Sequence, residues 1–578
     1  MVHPLPLFAV LLSLASSGPS SPFAKLEAQY LDGLFRAKPH LASYMGNHDY
    51  ERKQADLSSA GASRRVTELR GQAASLKTLD RATLTQEERI DADIMADGIA
   101  LELLDLTEIR EQSWNPRLED TFVFYDPREY VASRLSDLIH GSLTDAEKLS
   151  AVTAQLSGLP LLLEQKEALL SGPVTRVHLD KAVKDNLGRL EFMRTELEKF
   201  TAPHPAAEKA RLAALSALQK YQAFLEKTLP ARATRDWRLG PVLYRKKFPL
   251  ALQTDLTVDE FTRRARAAFA AAKKDLVGVA LKLAPQLWPH ESLPKDAAGQ
   301  GALVQKVRDE LSRDHPAANH FVEANAQCIS GLRAFIEEKG LIGLPPADSL
   351  TVEVEPEFKR GAVGAEYLSP GFLDSKARWH GTYYVDPVDP TWPPEKQESY
   401  LQSNNNYSIP LTASHEAYPG HHVQAYYARR DRNPLRATLW SGPFAEGWAV
   451  YGENQVVASG YGGVKNDRFR FMNMLGAMTV AGNALLDAGL QGGAMTDEEA
   501  MHLLVDESLQ GKAQAEKKIL RAKLDSTQLS QYFLGFSEIQ ALEAEVRARG
   551  KFNQRSFNEG LVGHGTVAVK RLRTYLLP

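Results

Sequence analysis

From Phe23 to about Gly340, apolar residues recur every three or four positions, the spacing that lines one face of a helix. Four Thr-x-x-Glu sequences precede such runs, at Thr85/Glu88, Thr144/Glu147, Thr257/Glu260 and Thr496/Glu499. In this arrangement the hydroxyl caps an early backbone amide and the glutamate reaches back to the threonine N–H, so each predicts a helix start. After the first, Ile90, Ile94, Leu101 and Leu104 share one stripe and predict a buried face. Segments rich in proline and glycine, such as Ser171–Pro173 and Thr201–Pro205, separate helices.

The texture changes at Leu341–Pro346. In Ser349–Glu355, Leu350, Val352 and Val354 point one way and Thr351, Glu353 and Glu355 the other, the alternation of a half-buried strand. Trp379–Asp386 is a second β-prone run, closed by Pro387. A small sheet is therefore expected, with an edge that either pairs with an extended peptide or only braces the core. The prolines and polar residues of Asp386–Asn406 predict a long loop. The expected fold is mainly α, one domain over residues 21–578, with a helical half to 340 and a half from 341 that carries the sheet and the metal candidates.

With 578 residues, 43% hydrophobic and 24% charged, the chain has ample material for a large core. A formal net charge of -3 provides no field to gather nucleic acid, and Arg263, Arg264 and Arg266 read as a solvated helix face. Pro4–Ser17 is apolar and no Lys, Arg, Asp or Glu precedes Lys25. This predicts a secretory signal over residues 1–20, too short to span a bilayer and lacking a basic residue before its apolar run. Export to the periplasm or medium is expected, a cytoplasmic location being the alternative, and no later run reaches the ~18 apolar residues of a membrane helix. Cys328 is the single cysteine, so no intrachain disulfide is expected and no early cysteine offers a lipoprotein-type anchor.

The chemistry concentrates in HEAYPGHH, His415 to His422, and FAEGWAVYGE, Phe444 to Glu453. Two imidazoles and a carboxylate from neighbouring helices are ligands a catalytic zinc takes, leaving a fourth position for water. Glu416, directly after the first histidine, is placed as general base for that water. In the common HExxH motif, histidines four apart share the ion across one helical turn. Here Pro419 occupies the fourth position and the next histidines stand six and seven later. On a regular helix the sixth faces away and the seventh lies ~10 Å along the axis. Pro419 and Gly420 therefore predict a bulged or broken helix that swings His421 into the second ligand's place. His422 is the alternative ligand, or else a donor to a substrate oxygen. Glu446, 25 positions after His421, leaves room for a turn at Asn433 and Pro434 and a helix returning antiparallel. It is the third-ligand candidate, with Glu453 orienting an imidazole, and Phe444, Trp448 and Tyr451 form a stripe expected in the core. One zinc ion is the expected cofactor.

These motifs resemble the bacterial domain-of-unknown-function family 885, placed among relatives of the gluzincin metallopeptidases. The resemblance is carried by SYMGNHDYERKQADLS (Ser43–Ser58), HEAYPGHHVQ (His415–Gln424), FAEGWAVYGE and a pattern of Arg521, Gln528, Tyr532 and Gly535, and spans nearly the whole mature chain. It implies a helical, bowl-like fold with zinc deep in a cleft, His415, His421 and Glu446 as ligands and Glu416 as base. The His421 to Glu446 spacing is similar to that of oligopeptidases of the thimet and angiotensin-converting types. Two departures stand out: Asp487–Gln491 ends in glutamine where the family has histidine, and Ser526 and Thr527 replace a Pro-Gly pair before Gln528.

The function expected from these residues is zinc-dependent hydrolysis of peptide or amide bonds in short peptides. Tyr532 and His564 are candidate donors to the oxyanion of the tetrahedral intermediate; Tyr383, Tyr384 and Arg521 are candidates for substrate binding. Two competing functions are an exported helical binding protein whose metal only staples the fold, and a zinc amidase or esterase acting on non-peptide substrates.

Overall fold

The computed structural model describes residues 21–125, 127–355, 360, 364–374 and 379–577; the expected signal over 1–20 lies outside them. Helices dominate the chain. Thr85, Thr144 and Thr496 each form the reciprocal capping box. Thr257 caps its helix Val258–Leu287 through the Glu260 N–H, but the Glu260 carboxylate bonds Arg263 and Arg264 instead of reaching back. Those charge-assisted bonds outcompete a neutral N–H donor, and the arginines stay exposed as expected.

Apolar faces of the described residues gather in three large cores, beside a small cluster of Leu104, Ile109 and Trp114. Helices Asp145–Leu169, Arg176–Arg194 and Pro205–Ala223 enclose one around Leu156, Leu179 and Tyr221. The site is built from six later helices: α1 (Ile409–Glu416), α2 (His421–Asp431), α3 (Gly442–Ala458), α4 (Asn466–Gln491), α5 (Lys512–Leu524) and α6 (Ser530–Ala548). The second core lies between Val258–Leu287 and α4, around Phe261, Leu276 and Leu486. The largest joins the N-terminal helices, through Tyr30, Ile94 and Ile99, to Ala413, Val423 and Trp448 of α1, α2 and α3. Both halves of the chain thus share one interior. No described helix is long and apolar enough to cross a membrane.

A hairpin pairs β1 (Glu119–Thr121) with β2 (Pro127–Glu129). The second sheet has the order β3 (Leu350–Val354), β5 (Gly381–Val385), β4 (Ala365–Leu368), with β3 parallel and β4 antiparallel to β5. Both sequence-predicted strands are present, and β4 is an edge strand the alternation did not show. At the end of β3 the expected facing fails: Val354 is exposed while Glu355 is buried, its N–H donating to the Val385 carbonyl. Within the expected loop 386–406, Pro394–Ser403 is a helix with proline at its first position and Glu395 in its first turn. Proline lacks the amide that a first turn leaves unpaired anyway, so it starts this helix where its presence had read as a loop signal.

Candidate metal centre

The HEAYPGHH stretch folds as two helices. Helix α1 ends at Glu416, Tyr418–Pro419 is a cis peptide, and α2 begins at His421. A Cβ on Gly420 would stand 1.7 Å from the His415 carbonyl oxygen and 2.5 Å from that of Ser414, a contact that only glycine permits. Trp448, buried in α3, locks the break: its indole N–H donates to the carbonyls of Pro419 at 3.0 Å and Gly420 at 3.3 Å.

This break brings His421 to His415. Their ring centroids lie 4.9 Å apart with planes at 90°. From α3, Glu446 places Oε2 3.4 Å from His415 Nε2 and 3.8 Å from His421 Nε2. The ligand atoms of all three residues lie within 4.8 Å of one another. Ligands about 2.1 Å from a tetrahedral zinc stand about 3.4 Å apart, so the two distances from Glu446 and this mix of imidazole and carboxylate suit such an ion.

Neighbouring groups fix the three. Glu453 Oε1 lies 2.7 Å from His415 Nδ1, which leaves Nε2 facing Glu446. Tyr125 donates its hydroxyl to Glu446 Oε1 at 2.9 Å. Burial would raise the Glu446 carboxyl, but His415 and His421 hold it down at about 2. Burial likewise opposes a charge on His415, yet its bonds to Glu446 and Glu453 lift its pKa well above the ordinary value. At the end of α1, Glu416 Oε2 accepts the N–H of Tyr367 on β4 at 3.1 Å. Burial raises its pKa, with His421 and His415 opposing.

His422 points the other way. It is fully buried, stacked on Trp379 at 5.2 Å and 7°, with Ser349 Oγ 3.2 Å from Nε2 and Tyr367 OH 3.3 Å from Nδ1. Both its nitrogens are thereby occupied, and it braces the sheet against α2. The ligand alternative for His422 is corrected on that geometry.

Helices α3 and α6 cross in backbone contact, a Cβ on Gly447 standing 2.3 Å from the carbonyl carbon of Gly535. One turn before that crossing, Tyr532 lies over His415, with ring centroids 6.4 Å apart and planes at 23°. Tyr532 and Arg521 line a cavity of about 290 Å³ that reaches His415 and Glu453. A larger cavity of about 900 Å³ begins at Tyr125 and runs past Lys38, Asp105 and Lys166 to Gln531.

The other expected site residues sit elsewhere. His564 stacks on Tyr575 at 3.6 Å and 9° while its carbonyl accepts from Arg436, so it packs the C-terminal helix rather than the cluster. Tyr383 is buried with its hydroxyl on Asn325, and Tyr384, on the opposite face of β5, is half-buried. Gln491, at the family's histidine position, is a buried staple: its oxygen accepts from Leu239 N–H and its amide donates to the Ala522 carbonyl. Thr527 holds φ of 71°, a left-handed conformation that fits the glycine usual in the family. Tyr125 escaped sequence reasoning, because one tyrosine in an aromatic run 321 positions before Glu446 carries no spacing signal.

The sequence profile of the bacterial proteins of unknown function DUF885 matches residues 39–576. A solved structure described as a "putative lipoprotein of unknown function" from Shewanella oneidensis is 26% identical, with a TM-score of 0.82 over 96% of this chain and 100% of that one. A second, the "putative lipoprotein" from Colwellia psychrerythraea, is 17% identical with a TM-score of 0.76 over 97% and 99% of the two chains, and shares the fold. No functionally curated protein matches.

Proposed function

The chain belongs to the bacterial family of unknown function DUF885, and from that premise we propose that it is a zinc-dependent hydrolase of peptide or amide bonds in short peptides. One observation carries the proposal: His415, His421 and Glu446 converge with ligand atoms within 4.8 Å of one another, and Glu416 follows the first of them on the same helix. Kinship with the gluzincin metallopeptidases is part of the same proposal and rests on that HE pair and the carboxylate from the next long helix.

A bound zinc supplies Lewis acidity toward water and the scissile carbonyl. Glu416 takes the water proton and passes it to the leaving nitrogen. Glu453 keeps Nε2 of His415 aimed at the ion, and Tyr125 does the same for the Glu446 carboxylate. Tyr532, over His415, is the donor proposed for the developing oxyanion. The edge of β4 passes Glu416 at Tyr367, where an extended substrate can pair with the strand.

A metal that merely stapled the fold would be closed by four protein ligands. This cluster has three among the described residues and borders a cavity, which favours a reacting ion over a stapling one. The apolar segment Pro4–Ser17 and the lipoprotein descriptions of two similar structures support export to the cell envelope.

Metal analysis after purification without chelators, joined to Glu416→Gln assayed on a dipeptide and tripeptide library, tests the proposal. The expected result is close to one zinc per chain in both proteins and loss of hydrolysis in the variant. Less than about half an equivalent of metal, or undiminished hydrolysis by Glu416→Gln, overturns it.

A further inference from the structure

The larger cavity, about 900 Å³, is lined by charges that the hydrolytic chemistry leaves unused. Most of them are paired. Lys38 bonds Asp120 at 2.6 Å, Arg65 bonds Glu102 at 2.8 Å, and Arg117 lies between Glu119 and Asp525. Four others line the same space without an ion pair among the described residues: the carboxylates of Asp105 and Glu111 and the ammonium groups of Lys166 and Lys247. The Glu111 carboxylate accepts only the Asn115 amide, and Lys247 bonds the hydroxyl and carbonyl of Ser526. Lys166, 5% exposed, makes one long bond of 3.4 Å to the Gln112 carbonyl, and Asp105 has no side-chain hydrogen bond. These groups act on one another without touching. Burial and Glu111 push the Asp105 carboxyl up to about 7, with Lys247 opposing. Burial pulls Lys166 down to about 8, with Glu111, Asp120 and Asp105 opposing.

Opposite charges that close on each other need no ligand. Held apart around a cavity, each keeps its desolvation cost, and a ligand carrying both signs compensates both at once. An ion of one sign would relieve one pair and be repelled by the other. The volume is near the upper end of small-molecule pockets, with room for a few residues at about 3.3–3.6 Å of extended chain each. The wall also holds Gln531, 4% exposed with its amide oxygen unpartnered, a group that matches a peptide unit. That wall adjoins the metal cluster. Tyr125 lines the cavity and donates to Glu446 Oε1 at 2.9 Å. Gln531 Oε1 and the Phe124 carbonyl oxygen would each stand 2.6 Å from a Cβ on Gly442, one turn before Glu446 on α3.

We propose that this cavity binds the whole of a short peptide with both termini free, its ammonium at Asp105 and Glu111 and its terminal carboxylate at Lys166 and Lys247. This names the substrate of the hydrolase function proposed above, and rests on that reading for turnover but not for binding.

The probes are trialanine, N-acetyl-trialanine, trialanine amide and free alanine. Binding to the purified Glu416→Gln protein is read by calorimetry, and turnover by the wild type by mass spectrometry. Trialanine should bind at least about tenfold more tightly than either capped form or alanine, the scale of one lost bond to a charged group. Placed in the Glu416→Gln protein, Asp105→Asn should cancel the preference over N-acetyl-trialanine and keep that over the amide. Lys166→Met should do the reverse, a crossed pattern that general loss of structure does not produce, with zinc content checked in each. Capped and free peptides binding alike, alanine binding as tightly as trialanine, or both variants losing both preferences or neither overturns the cavity site. The expected binding without turnover by the wild type supports the site and removes the hydrolase function. Turnover that ignores the caps overturns the site and leaves the hydrolase standing. Neither binding nor turnover overturns both.

Discussion

The α-carbon of Gly420 sits so close to His415 that a methyl group there would stand 1.7 Å from the histidine's carbonyl oxygen. The end of α1 and the start of α2 are therefore in backbone contact, and this contact brings an imidazole six positions further along the chain to the first one.

Gly420→Ala is expected to force the two helices apart. The clash is with backbone, which cannot rotate out of the way, so bound zinc should fall at least tenfold and stability by about 2 kcal/mol or more. Metal analysis and urea unfolding check both. Full zinc and unchanged stability would show that the ligand geometry does not depend on this contact.

The neighbouring histidines should separate cleanly. His421→Ala is expected to abolish zinc retention, whereas His422→Ala should keep the metal and lose roughly 1–3 kcal/mol of stability with its buried ring and hydrogen bonds. Metal lost from the second variant and kept by the first would move the ligand to His422.

Tyr125→Phe and Glu453→Gln act on the ligands' partners. Each should weaken zinc binding roughly 10- to 100-fold, the usual effect of removing such an outer contact, in a competition titration against a chromogenic chelator. Unchanged affinity in Tyr125→Phe would reduce its bond with Glu446 to packing.

His422 also makes stability depend on pH. Burial pushes its pKa down to about 3, while an unfolded histidine titrates at about 6.5. Between those values the unfolded chain binds a proton that the folded chain refuses, so the folded state loses stability as pH falls, by up to about 1.4 kcal/mol per pH unit. Between pH 7 and 5 the wild type should lose about 2 kcal/mol more than His422→Phe in urea unfolding. Equal losses would mean that the imidazole is charged in the folded protein.

Much of this was legible in the sequence because local rules carried it. Thr85, Thr144 and Thr496 start helices where hydroxyl and glutamate spacing placed them, and Pro419 with Gly420 marked the break between α1 and α2. Residues whose surroundings come from distant segments were opaque. Glu355 is buried and Val354 exposed against their polarity because the chain leaves β3 there, and β4 became visible only once β5 gave it a partner. His564 carried a plausible sequence context, yet Tyr575 from the last helix decides its place. Glu260 had the capping spacing, and two arginines on its own helix drew it away.

Tyr125 reaches Glu446 across 321 positions of chain, and Tyr532 follows from still nearer the C-terminus. During synthesis the N-terminal helices emerge hundreds of residues before the histidines they help to enclose. The groups gathered around the cluster thus span positions 125 to 532, and the full set is present only once the chain has been made as far as Tyr532.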